Sequence, residues 1–137
     1  MSLVLDSSAT LAWIYSEEIT PAIQQVLNAV IEEGAWVPSI WRLEIANILN
    51  LGIRRGRNDA AFRDASLQDL SMMSIRTDPE TDNRAWDATL RLAERHRLTM
   101  YDASYLEVAL RRRLPLATLD LELRTAAREE NAGLLGI

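Results

Sequence analysis

Five carboxylates stand where alternating strands and helices would present them for chemistry: Asp6, Glu44, Asp102, Asp120 and Glu122. Asp6 ends the apolar run Leu3-Val4-Leu5 and is followed by Ser7 and Ser8, and Asp120 ends the run from Leu114 to Leu119 in the same way. A short aliphatic run of this kind reads as a buried parallel strand, and an acid at its end reaches the crevice where open α/β sheets bind ligands. Clustered carboxylates repel one another and weaken a fold unless a cation neutralises them. The chain has no cysteine and one histidine, His96, so oxygen ligands would have to hold that cation, which makes it Mg²⁺ or Mn²⁺. One such ion, or two close together, can activate a water for in-line attack on a phosphodiester and stabilise the leaving oxygen. The chemistry indicated is hydrolysis of a nucleic-acid backbone.

Each acid also has a plainer reading. Asp6 or Ser7 could cap the following helix, Glu44 could serve its helix dipole, Thr99 and Asp102 have capping-box spacing, and Glu122 suits a helix start. For Asp6 the two readings stand level. Glu44 interrupts an apolar helix, with Asn47 one turn later on the same face, and a glutamate in such surroundings is more often functional or paired than idle. The Tyr-Asp-Ala-Ser-Tyr context of residues 101–105 favours function for Asp102. His96 falls at a helix end, is assigned a capping or surface role, and receives no chemistry.

Composition removes several function classes. All fifteen basic residues are arginine, so there is no P-loop lysine, no Schiff base and no lysine to complete a phospho-acceptor aspartate site. The five glycines nowhere form G-x-G-x-x-G, which removes dinucleotide binding of that kind. A net charge of −5 argues against nucleic-acid binding by bulk electrostatics, although a local arginine patch beside a metal site escapes that argument. Neither a secretory pattern nor a bilayer-length apolar run is present, so the expectation is a cytoplasmic protein without membrane association. A length of 137 residues suits one domain, residues 1–137.

The elements that must position these acids follow from periodicity and caps. After the strand ending at Asp6 come a helix over residues 9–15 and a second helix opened by Pro21 and closed by Gly34. Residues 35–38 form a strand or its approach, and Ser39 is placed to cap a helix from about Ile40 to Arg54. That helix carries apolar residues nearly all the way round, which suits burial against a partner chain. Residues 59–70 form a further helix, hairpinned on it, and residues 72–75 an edge strand. Asp78-Pro79 starts a helix reaching about Arg95, and another follows Thr99 and ends in Arg111-Arg112-Arg113, read as a solvated terminus. Asp120 then starts the last helix, to about Asn131, with Leu134-Leu135 as a final strand.

Four stretches together resemble PIN-domain ribonucleases, specifically VapC-type toxins of type II toxin-antitoxin systems. They are Val-Leu-Asp-Ser-Ser with Leu-Ala-Trp-Ile, Pro-Ser-Ile-Trp-Arg-Leu-Glu-Ile-Ala-Asn-Ile-Leu, Leu-Thr-Met-Tyr-Asp-Ala-Ser-Tyr-Leu, and Leu-Pro-Leu-Ala-Thr-Leu-Asp-Leu-Glu-Leu. They stand in the family's order over nearly the whole length. The resemblance implies an α/β, PIN-like three-layer fold, a central parallel sheet flanked by helices on both faces. It implies Asp6, Glu44, Asp102 and Asp120 as metal-binding and catalytic acids, with Ser7 and Thr118 as supporting hydroxyls and Asn47 holding Glu44. It also implies an RNA substrate, a VapB-like antitoxin seated beside the helix hairpin, and a homodimer. Relatives often carry Asp where this chain has Glu122, so Glu122 is an open fifth ligand. Two other readings are a PIN-like binding module without nuclease activity and an aspartate-based phosphatase or phosphotransferase. The second lacks an acid two residues after Asp6 as well as the lysine.

Overall fold

Leu3, Val4 and Leu5 are all buried and form β1 (Leu3–Leu5), the middle strand of a five-stranded sheet. The computed structural model describes residues 2–137. The other strands are β2 (Ala35–Val37), β3 (Ile75–Thr77), β4 (Leu116–Ala117) and β5 (Leu134–Leu135). They lie in the order β3-β2-β1-β4-β5, and every neighbouring pair is parallel. Parallel strands need crossover connections, which here are the helices α1 (Ser7–Ile14), α2 (Pro21–Glu33), α3 (Trp41–Arg54), α4 (Ala60–Ser71), α5 (Thr81–Arg84), α6 (Leu90–His96), α7 (Met100–Arg112) and α8 (Leu121–Glu129). The expected α/β architecture, a central parallel sheet flanked by helices, is what the chain adopts. No helix among the described residues is long and apolar enough to cross a membrane.

The strand order fixes where a site can form. The chain lays down β1, β2 and β3 in one direction and then returns to place β4 on the opposite side of β1. Connections after β1 and β4 therefore leave in opposite directions, and a crevice opens between them at the carboxyl ends of the strands. The Asp6 amide donates to Ala117 O at 3.0 Å, so the residues following both strands meet at that crevice.

Several boundaries differ from the sequence reading for definable reasons. Ser39 does not cap α3. Ile40 holds the N-cap position without a side-chain bond, and the Ser39 hydroxyl donates to Asp82 Oδ1 at 3.1 Å. The edge strand lies at Ile75–Thr77 rather than residues 72–75, paired with β2 in register. The helix after Asp78 carries a π-helical turn at Ala85–Thr89 between α5 and α6, and Trp86 within it is 90% exposed. In α3 the line buried within the chain is Trp41, Ile45, Leu49 and Gly52, while Leu43 is 68% exposed.

Two features read as surface are ties between elements. The His96 side chain is almost fully buried, with Nδ1 at 3.0 Å from Glu129 and Nε2 at 2.8 Å from Glu130, joining α6 to α8. The end of α7 is not simply solvated either. Arg111 and Arg112 both pair with the buried Asp78, Arg111 also pairs with Glu107, and the Arg112 guanidinium lies 3.5 Å from the centre of the Trp36 ring.

Candidate active site

Asp6 is only 4% exposed. It occupies the N-cap position of α1 but makes no side-chain cap bond. Its Oδ2 instead accepts from the Ser8 hydroxyl at 2.6 Å and from the Thr118 hydroxyl at 2.7 Å. Burial raises its pKa above the ordinary carboxylate value, and the hydrogen bonds from Ser8 and Thr118 oppose that rise. The site is further tied together by Ser8, whose Oγ accepts from the Leu119 amide at 2.9 Å.

Glu44 stands in the first turn of α3, half-buried, and accepts a hydrogen bond from the Tyr105 hydroxyl. Burial raises its pKa, Tyr105 opposes this, and the neighbouring charges of Asp6 and Asp102 add to the rise. Asp102 stands in the first turn of α7, where its backbone N–H donates to Thr99 Oγ1 at 3.1 Å. Its carboxyl is pushed up to about 6, first by burial and then by the charges of Asp6, Asp120 and Glu122. Asp120 caps α8, with Oδ1 accepting from the Leu123 amide at 2.9 Å, while its own amide donates to Thr118 Oγ1 at 3.1 Å.

Like charges act over short range, so these mutual effects bring Asp6, Glu44, Asp102 and Asp120 into one electrostatic neighbourhood, with exposed Glu122 at its rim. Of the supporting residues, Thr118 is fully buried against Asp6. Ser7 is buried, and its hydroxyl acts on the Tyr105 phenol. Asn47 lies exposed on α3. Ser8 and Tyr105 were not singled out from the sequence. Ser8 had a signal, two residues after Asp6, and Tyr105 had one too, three after Asp102 on the same helix face. Burial and the Asp6 and Glu44 charges raise the Tyr105 pKa far above its ordinary value, so its proton stays on.

The donor set suits a hard cation. Every candidate ligand atom is a carboxylate oxygen. Among the described residues, no arginine forms an ion pair with Asp6, Glu44, Asp102 or Asp120, so their charge is left uncompensated. Nor, among the described residues, do three acids converge into a ready-made cage. Glu44 Oε1 is taken up by Tyr105 and Asp120 Oδ1 by its helix cap, one oxygen of each carboxylate.

Residues 3–129 match the PIN domain family model. The chain belongs to the PIN domain family. PIN domains are generally nucleases. This PIN domain is similar in structure to PAE2754 from Pyrobaculum aerophilum, with a TM-score of 0.67 and 29% identity over 92% of this chain and 87% of that one. It shares its fold with FitAcB from Neisseria gonorrhoeae, at a TM-score of 0.65 and 16% identity over 98% and 96% of the two chains. No curated protein matches in sequence.

Proposed function

We propose that this PIN domain is a Mg²⁺- or Mn²⁺-dependent endoribonuclease that acts as the toxin of a toxin-antitoxin pair. The observation that supports it most is the uncompensated crowding of carboxylates from four separate elements at the sheet's switch point, with Asp102 pushed up to about 6. A divalent ion would balance that charge, lower the pKa of a water and offset charge on the phosphate. Asp6, Glu44, Asp102 and Asp120 are the residues proposed to hold it, with Glu122 as a rim ligand. Ser8 and Thr118 fix the Asp6 carboxylate by hydrogen bonds to the same oxygen, Oδ2. In the metal-free protein, Asp102 holds a proton for part of the time near neutral pH.

Single-stranded or looped RNA is the proposed substrate, because unstacked bases can lie against exposed side chains such as Tyr101, next to Asp102. The proposed antitoxin would use the apolar groove between α3 and α4, lined by Trp41, Ile45, Leu67, Leu70 and Met73. A homodimer and a cytoplasmic location belong to the same proposal, carried by the resemblance to VapC-type toxins.

The test is cleavage of total cellular RNA, including structured transfer RNA, by purified protein in Mn²⁺ or Mg²⁺, with chelator and Asp102→Asn protein as controls. Discrete fragments requiring both the metal and Asp102 support the proposal. Cleavage that persists in chelator or in the variant points to a contaminant and removes it. The lack of a ready-made cage among the described residues favours one second reading, a binding module that does not cut RNA. Thermal stabilisation by Mn²⁺ that vanishes in Asp6→Asn counts against the module, which has no need of the ion.

A further inference from the structure

Tyr105 lies on α7, and its side chain is shut off from solvent. Its hydroxyl crosses to α3 and donates to Glu44 Oε1. A buried tyrosine hydroxyl needs a partner, but a backbone carbonyl would serve that need without touching the site. Here the partner is a half-buried carboxylate on the acid crevice. The bond occupies one oxygen only, and among the described residues no hydrogen-bond donor reaches Glu44 Oε2. A glutamate side chain has several rotatable bonds, and fixing it at the moment of ligand binding costs entropy. A rigid donor on Oε1, carried by a fully buried ring, meets that cost in advance and directs Oε2 away from Tyr105.

We infer that Tyr105 is a positioning residue of the proposed nuclease: it acts through Glu44, presenting that carboxylate to the divalent ion with Oε2 free. The inference rests on Glu44 being a metal ligand, as proposed above. Groups that orient a ligand by hydrogen bonding typically contribute about 10- to 100-fold in metal affinity or activity.

The test is calorimetric titration with Mn²⁺ alone, on wild-type protein, Tyr105→Phe, Glu44→Gln and the double variant, each checked for its unfolding midpoint in chelator. Tyr105→Phe should weaken Mn²⁺ binding by about 10- to 100-fold. In the Glu44→Gln background the same change should have no further effect, because the tyrosine acts only through that carboxylate. A purely structural tyrosine would instead give the same change in both backgrounds, or none in either, and both results overturn the inference. Tyr105→Met, which fills the buried space without a hydroxyl, takes its place with the same two expectations if the phenylalanine variant folds poorly. Wild-type protein that binds no Mn²⁺ overturns the metal proposal and this inference together, whereas wild-type binding left unchanged by Tyr105→Phe overturns this inference alone.

Discussion

The hydroxyl of Thr118, just past β4, donates to Oδ2 of Asp6, just past β1, at 2.7 Å. The same hydroxyl accepts from the Asp120 amide at 3.1 Å, so one atom links a buried acid to the residue that starts α8. A carboxylate that stays charged while buried depends on such donors. Thr118→Val keeps the shape and removes both bonds. At neutral pH without metal it should destabilise the protein by about 1–3 kcal/mol, read from urea unfolding. A change below about 0.5 kcal/mol would show that the hydroxyl is dispensable there.

Asp102 makes the acid cluster a source of pH-dependent instability. Its carboxyl rises from 3.8 to about 6, so between those values the folded state binds more protons than the unfolded state. Stability of the metal-free protein should therefore fall as pH rises from about 4 to about 7. The full shift corresponds to about 3 kcal/mol, and screening at this half-exposed group reduces the expected cost to about 1–2 kcal/mol. Asp102→Asn should recover that amount at pH 7 in chelator and flatten the slope. Urea midpoints measured across the range decide the matter, and a slope unchanged by the substitution would mean the acids do not interact as described.

Mn²⁺ should reverse that slope, since it binds deprotonated carboxylates and competes with protons. At about 100 times its dissociation constant, the ion should add about 2.7 kcal/mol of stability at pH 7, and much less at pH 5. Thermal unfolding with and without Mn²⁺ at the two pH values checks this. Equal stabilisation at both would place the ion away from Asp102.

What the sequence made legible was local. Leu3 to Asp6 announce a buried strand and its terminal acid within four residues, and Pro21 with Gly34 bracket α2 through φ restrictions that act at single positions. Thr99 and Asp120 cap as short polar residues should. The parts that were not legible join distant segments. Nothing around Glu44 announces Tyr105, nothing around Trp36 announces the guanidinium of Arg112, and His96 finds Glu130 only after α6 and α8 have packed. The displaced edge strand has the same origin. Arg76 and Thr77 look like loop residues because they are exposed, and pairing with Trp36 and Val37 makes them a strand.

Asp78 shows the opposite electrostatic sign from Asp102. Burial alone would raise its carboxyl, but hydrogen bonds from Arg111, Arg112 and Thr81 outweigh that and hold it at about 2. Its contribution, about 2 kcal/mol, is fully present above pH 3.8 and is lost as pH falls through about 2. Asp78→Ala leaves Arg111 on Glu107 but strips Arg112 of its carboxylate partner. Breaking a buried pair from one side costs about 3–5 kcal/mol, and the remaining Glu107 contact puts the expected loss near the lower end. Chemical unfolding at pH 7 measures it, and a loss under about 1 kcal/mol would mean that solvent screens the pair.

Gly52 tests whether the α3–α4 hairpin is closed by one side chain. A Cβ built on Gly52 would collide with Asn58 Oδ1 and lie 3.0 Å from the Tyr15 hydroxyl. Asn58 cannot yield freely, because its Oδ1 accepts from Tyr15 at 2.6 Å while its Nδ2 donates to Leu49 O at 3.1 Å. Tyr15 in turn stacks on Phe62 of α4 and lies under the Arg57 guanidinium. The lack of a side chain at Gly52 is therefore a packing requirement in a helical position, where alanine would otherwise be favoured by about 1 kcal/mol. Gly52→Ala should destabilise by about 1–3 kcal/mol through overpacking, and should raise amide exchange at the start of α4 more than in β1. A neutral or stabilising result would mean that Asn58 can rotate away without loss, and the hairpin would then be held by its apolar contacts alone.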